Sequence, residues 1–158
     1  MPDEPFAGRT VNNLDELRSL VGTEIGVSDW LDVRQEQVES FAAATGDRQW
    51  IHCDVDRAKR ESPYGTTIAH GFLTLSLGPA LAEKILTVQG VKLAVNYGVD
   101  RVRFPSPVRV GSRLRMRLGL LAVRDIPGGL QATFKQTFEV EGQPKPACVV
   151  EALLRLYN

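Results

Sequence analysis

The chain has 158 residues, 43% hydrophobic and 24% charged, with 19 basic and 19 acidic side chains and a formal net charge of zero. That length suits one domain, residues 1–158, large enough to bury a core. The balanced charge lacks the basic footprint of a nucleic-acid-binding protein. Acids near the start, no basic-then-apolar leader, and a longest apolar stretch (71–82) too short to span a bilayer together predict a cytoplasmic protein without membrane insertion.

Residues 1–10, with Pro2, Pro5 and Gly8, read as a loose or lightly docked end. Asn13 to Val21 suits a short helix with Leu14, Leu17 and Val21 on one face, and Val27–Leu31 reads as a first strand. Asp32 followed by Gln35 resembles a capping box, after which Val38, Phe41, Ala42 and Thr45 recur at helical spacing. Gly46 is suited to end that helix. Asp54 is placed to cap a short helix through Arg60, which Ser62-Pro63-Tyr64-Gly65 breaks.

The most apolar segment runs from Gly71 to Leu86 and includes Phe72, Leu73, Leu75, Leu77, Leu81 and Ile85. A helix apolar on nearly every side is a buried one, and Gly78-Pro79 inside it is a candidate kink.

The remainder alternates as strands. Leu93, Val95, Tyr97 and Val99 keep period two, and the slip to Val102 and Phe104 predicts a bulge near Asp100. Leu114, Met116, Leu118 and Leu120 alternate with Arg113, Arg115 and Arg117; Leu130, Ala132, Phe134, Phe138 and Val140 follow a turn at 126–129; Cys148, Val150, Ala152, Leu154 and Leu156 follow a turn at 141–144. Short connections make these three an antiparallel meander. Its apolar face needs a cover, and the helix at 71–86 is the large candidate, giving an α+β architecture with a sheet wrapped around a central helix.

The chemistry concentrates in Gly46-Asp47-Arg48-Gln49-Trp50-Ile51-His52. Asp47 and His52 are five residues apart, about 140° apart on an ideal helix and on opposite faces of a strand. They converge only if the chain bends between them, so the segment reads as a loop carrying a carboxylate and an imidazole, the usual general acid/base pair. Taken singly, an Asp after Gly is a common turn residue and a lone His a common core group. Ala69-His70-Gly71, opening the apolar segment, supplies a second motif. His52, Cys53, Asp54 and His70 fit no standard metal spacing, and Cys53 and Cys148, lacking CxxC spacing, are expected to be free thiols.

These motifs, in this order, resemble the MaoC-like dehydratases, a hot-dog-fold family that includes (R)-specific enoyl-CoA hydratases. The 46–52 loop resembles the family's hydratase motif, and Ile68-Ala69-His70-Gly71-Phe72-Leu73 the start of its central helix. Asn96 to Val108 resembles the strand and turn that follow, especially in the nodulation-protein-N-like branch, and the likeness covers roughly residues 28–157. It implies an (R)-specific hydratase, or dehydratase in reverse, acting on trans-2-enoyl thioesters in fatty-acyl metabolism.

By the same resemblance, Asp47 and His52 polarise a water and pass its proton, and the Gly71 N–H meets the thioester oxygen. Gln49 orients the water or the pair, or simply bonds backbone; His70 lines the pocket or is structural. No cofactor and no metal are implied, because coenzyme A is part of the substrate. An arginine of the 113, 115, 117 row, or Arg101, Arg103 or Arg109, is a candidate for its phosphates. The hot-dog fold implies a homodimer, which exposed strand edges also favour. Two alternatives remain at this point: an acyl-CoA thioesterase on the same fold, and a non-catalytic acyl-thioester binding or signalling module.

Overall fold

The computed structural model describes residues 8–158. Five strands pair antiparallel in the order β2-β6-β7-β8-β5, formed by Thr23–Val27, Arg113–Ile126, Gly129–Val140, Cys148–Tyr157 and Leu93–Arg103, and short β3 (Leu31–Asp32) also pairs with β6. The meander β6-β7-β8 has the expected connections. Ile126 and Gly129 pair directly across Pro127-Gly128, and Gly128 has φ +78°, which a glycine adopts without strain.

The inward face of this sheet carries Leu114, Met116, Leu118 and Leu120 on β6, Leu130, Ala132, Phe134, Phe138 and Val140 on β7, and Val150 and Leu156 on β8, all buried. Leu73, Leu81 and Ile85 of the apolar segment pack into the same cluster. The sheet therefore wraps the helical segment, as period-two and helical apolar faces require of each other.

That segment is two helices instead of one: α5 (Gly71–Ser76) and α6 (Gly78–Ile85), parted at Leu77. Pro79 has no N–H to continue the α5 ladder, so it sits in the first turn of a new helix, where the missing donor costs nothing. The Leu77 N–H is shared between the Leu73 and Thr74 carbonyls at 3.1 and 3.2 Å, and α6 resumes with Leu81 N–H on Leu77 O at 3.1 Å. Phe72, expected inside, is 66% exposed and meets Phe104 edge to face. Leu86 leaves the helix to begin β4 (Leu86–Val88).

Residues 1–7 of the segment expected to be loose lie outside the described residues, whereas Arg9–Val11 forms β1, parallel to β4. The first large strand is β2, ahead of the expected 27–31; at Ser28 the N–H still donates to Met116 O at 2.8 Å, but the hydroxyl accepts the Met116 N–H at 2.9 Å and the ladder stops. Helix α1 (Leu14–Arg18) is shorter than expected and is capped by Asn13, whose side chain accepts the Glu16 N–H at 2.8 Å. Helix α2 (Gln35–Thr45) begins after Arg34, and the Gln37 side chain accepts the Arg34 N–H at 3.0 Å; the expected Asp32–Gln35 box is displaced by two residues.

The bulge near Asp100 is present, with a register shift between Asp100 and Arg103 and Arg101 at φ +53°. Strand β5 is a sheet edge, and its period-two apolar set, Leu93, Val95, Tyr97 and Val99, is exposed; a register shift between Asn96 and Gly98 turns Val99 to the side of buried Ala152. No helix among the described residues is long and apolar enough to cross a membrane.

Candidate active site

Helix α2 ends at Gly46, whose φ of +83° and N–H on Ala42 O (2.9 Å) turn the chain sharply. Asp47 follows in the turn. Its N–H lies 3.4 Å from Thr45 Oγ1, and its own Oδ1 lies 3.4 Å from the Gln49 N–H. The chain then enters a single helical turn, α3 (Trp50–Cys53), so His52 stands on a short helix where a loop was expected. The bend between Asp47 and His52 required by their spacing is this turn-to-helix junction. Asp54 closes α3 and caps α4 (Val55–Glu61), accepting the Arg57 N–H at 2.9 Å.

The second motif is stitched onto the first. Ile68 N–H donates to Ile51 O at 3.0 Å, while Ala69 N–H donates to Val108 O at 2.8 Å. His52, buried, has its Nδ1 2.7 Å from Ile68 O. A carbonyl only accepts, so Nδ1 carries the proton and Nε2 of the neutral ring keeps its lone pair. The Gln35 Nε2 donates to His52 O at 2.8 Å, and its Oε1 accepts from Thr67 Oγ1 at 2.6 Å, fixing the backbone behind the imidazole.

His70, 2% exposed, precedes α5 and donates from Nε2 to Asp47 O at 2.9 Å; the same nitrogen is 4.0 Å from Asp47 Oδ2. Its Nδ1 is buried without a hydrogen-bond partner. The ring stacks on His52 with centroids 3.9 Å apart and planes 24° apart, and Phe41 packs on it at 4.9 Å. Burial pushes the His52 pKa below its ordinary value of 6.5. The nearby His70 pushes the same way, while the Ile68 hydrogen bond and Asp47 oppose it. The site thus holds a neutral imidazole beside a half-exposed carboxylate.

One nitrogen or carboxylate oxygen from each of Asp47, His52 and His70 lies within 4.8 Å of the others. In-plane lone pairs of nearly parallel stacked rings do not converge on one ion, and one nitrogen of each ring already faces a carbonyl. The cluster is built to handle a proton more readily than to cage a metal.

His52 and Gly71 line a common cavity of about 280 Å3 with Tyr64, Thr74, Phe104 and Ser106. Gly71 is the first residue of α5, so its N–H has no acceptor within that helix. A β-carbon there would lie 3.1 Å from the Phe104 ring. A second, larger cavity of about 600 Å3 lies against Leu75, Pro79, Ala82 and Leu86, on the next turns of the same helical segment. Residues of β5, β6, β7 and β8, mostly apolar, form its other walls.

Sequence reasoning brought out Asp47, His52, His70 and Gly71, which the structure gathers. Gln49 is exposed, and its contact with the pair is through its backbone N–H. Sequence reasoning passed over Gln35 and Thr67, which brace His52, Thr74, which shares its cavity, and Gln136 on the larger cavity. Gln136 had a signal: it is the polar residue in an otherwise apolar inward row of β7. Gln35 and Thr67 act across 32 residues of sequence, and no local pattern marks such a pair.

The arginine row is occupied. Arg113 pairs with Glu141, Arg115 with Glu139 at 2.8 Å, and Arg117 with Glu139 at 3.0 Å and Glu24 at 2.7 Å, with Trp30 beneath Arg115. Against a burial that would raise it, Arg115 and Arg117 hold the Glu139 carboxyl below its ordinary pKa. Arg109, by contrast, donates from Nε to the Tyr64 carbonyl at the rim of the His52 cavity.

Comparison with known proteins identifies the family. The MaoC-like domain matches residues 16–138. The chain is 53% identical over 148 residues to 3-hydroxyacyl-thioester dehydratase Z of Mycobacterium tuberculosis, covering 93% of this chain and 97% of that one. It is 44% identical to nodulation protein N of Rhizobium leguminosarum bv. viciae, covering 85% of each. The solved (R)-hydratase from A. caviae involved in PHA biosynthesis superposes with a TM-score of 0.69 at 25% identity, over 86% of this chain and 96% of that one. The α+β hot-dog fold expected from the sequence is the fold of these structures. The chain belongs to the MaoC-like dehydratase family.

Proposed function

We propose that this chain is a hydro-lyase, an (R)-specific enoyl-CoA hydratase acting in reverse as a 3-hydroxyacyl-CoA dehydratase. The observation that carries this reading is the convergence of the Asp47 carboxylate and the His52 imidazole beside a cavity that His52 and Gly71 both line. Dehydratase and (R)-hydratase relatives support the same reaction class.

A water held between Asp47 and the unprotonated Nε2 of His52 adds its oxygen to the β-carbon. The double-bond electrons move to the α-carbon and thioester, charge gathers on the thioester oxygen, and the Gly71 N–H stabilises it. The proton taken from the water passes through the pair to the α-carbon, so H and OH are both delivered and nothing is left over. Helix α5 is only six residues long, so this stabilisation comes from the aimed N–H itself more than from a helix dipole. The base and acid roles belong to the pair as a unit. His70, through its bond to the Asp47 carbonyl, positions the pair. Gln49 is assigned to the approach of water.

The reaction needs no cofactor or metal. The acyl chain enters the larger apolar cavity along α5 and α6. Arg109, at the rim and outside the Glu-paired row, is the favoured arginine for the coenzyme A phosphates. The protein works as a cytoplasmic homodimer joined along β5, whose exposed apolar row and unpaired edge support such pairing.

The test is incubation with crotonyl-CoA and a longer trans-2-enoyl-CoA, following loss of the conjugated enoyl absorbance with chiral analysis of the product. Formation of the (R)-3-hydroxyacyl thioester is expected. Release of free thiol from saturated acyl-CoA would point to a thioesterase, and binding without turnover to a carrier module.

A further inference from the structure

The inward row of β7 reads Leu130, Ala132, Phe134, Gln136, Phe138, Val140. Five are apolar; Gln136 is 5% exposed, yet it faces the larger cavity. No hydrogen bond engages its side-chain amide among the described residues. The amide therefore keeps its hydrogen-bonding surface towards the cavity, where a leucine of similar size would complete an apolar wall. The helix break supplies its room: any β-carbon on Gly78 would lie 2.8 Å from Gln136 Oε1.

The amide offers two donors and one acceptor to whatever fills the cavity. Ser76, also on the wall, already donates its hydroxyl to Phe72 O at 2.6 Å. Among the described residues the charged one lining the cavity is Glu83, an anion, with no Lys or Arg beside it, so a carboxylate is disfavoured there. A neutral oxygen fits both the amide and the field.

We infer that Gln136 is a specificity-determining residue and that the preferred substrates are acyl thioesters bearing a neutral oxygen, hydroxyl or keto, on the distal part of the chain. This rests on the hydratase reading and on the acyl chain occupying the larger cavity. Gly78 follows Gly71 by seven residues, about 10 Å along the helical segment, so the oxygen belongs well beyond the reacting carbons.

The test measures binding of non-reacting saturated acyl-CoAs of about eight carbons, a length matched to that reach, with and without a terminal hydroxyl, to the wild type, Gln136→Leu and Gln136→Met. Turnover of the matching 2-enoyl-CoAs is followed in parallel. The wild type is expected to bind the hydroxylated chain between about threefold and tenfold more tightly, and both variants to lose or invert that preference. Equal affinities in the wild type, or a preference kept in both folded variants, would overturn the inference. Failure of the hydratase reading would show separately, as absent turnover of every enoyl-CoA.

Discussion

The imidazoles of His52 and His70 stack at 3.9 Å, and the two rings are fastened at opposite ends, His52 to the Ile68 carbonyl and His70 to the Asp47 carbonyl. Burial disfavours a charge on His52, and the neighbouring His70 adds to the effect. Folded His52 therefore titrates below 6.5, and its neutral form, the one able to accept a proton, persists into mildly acidic solution. The acidic limb of kcat/KM is expected below pH 6.5. His70→Gln, which keeps a donor for the Asp47 carbonyl, should move that limb to higher pH. Because the unfolded chain takes up this proton first, His52 also makes stability fall as pH drops below 6.5 and through its folded pKa. pH–rate profiles and melts across that range check both signs.

Asp47→Asn and His52→Ala are each expected to lower kcat/KM by at least about 100-fold, the lower end of what positioned acid/base groups contribute. Asp47 is half-exposed, so its variant should melt close to the wild type. His52→Ala also loses the Ile68 bond and should melt lower. Retention of a tenth of the wild-type rate by a folded variant would remove the pair from the mechanism.

Gly71→Ala adds a carbon 3.1 Å from the Phe104 ring. Phe104 is 41% exposed and can swing aside, so stability should change by no more than about 1 kcal/mol. The displaced ring borders the same cavity, and the amide should lose its line to the thioester oxygen. A fall in kcat of about tenfold or more, with a smaller change in KM, is expected from steady-state kinetics.

The sheet, its meander order and the covering helix were legible because each strand's period-two face and the helix's all-round apolarity depend on local sequence. The Asp100 bulge was legible for the same reason. The break at Leu77 was visible only as a Gly-Pro pair, since sequence does not decide between a kinked helix and two short ones. Of the site, Asp47, His52, His70 and Gly71 stood out as motifs. What braces them did not, since the Gln35–Thr67 contact joins residues 32 positions apart. The direction of β5 was misleading: Leu93, Val95, Tyr97 and Val99 alternate like a core face, but all four are exposed on an edge strand, and a register shift between Asn96 and Gly98 breaks their common face.

That exposed row yields its own prediction. Lysines at Leu93 and Val95, which pair with Tyr157 and Arg155 and lie outside the larger cavity, place two charges where a second copy would pack and leave the inward face untouched. A 17.4 kDa chain that dimerises along β5 should elute near twice that mass, and Leu93→Lys/Val95→Lys near the single mass. Light scattering after size exclusion, at micromolar concentration, distinguishes the two. A wild type already at the single mass would refute the dimer.

Gln35 holds His52 without touching substrate. Its amide donates to the His52 carbonyl and accepts from Thr67, so one side chain ties α2 to both motif segments. Gln35→Leu leaves the carbonyl and the hydroxyl unpaired, at a cost of about 1–3 kcal/mol. Gln35→Glu keeps the acceptor for Thr67 but sets a carboxylate against the His52 carbonyl, loosening α3 at that point. If the role is positioning, both variants lower kcat more than they raise KM, and Thr67→Ala gives a milder form of the same loss. If Gln35 only stabilises the fold, the variants melt earlier but keep kcat below their transition, and urea titration beside the kinetics separates the two.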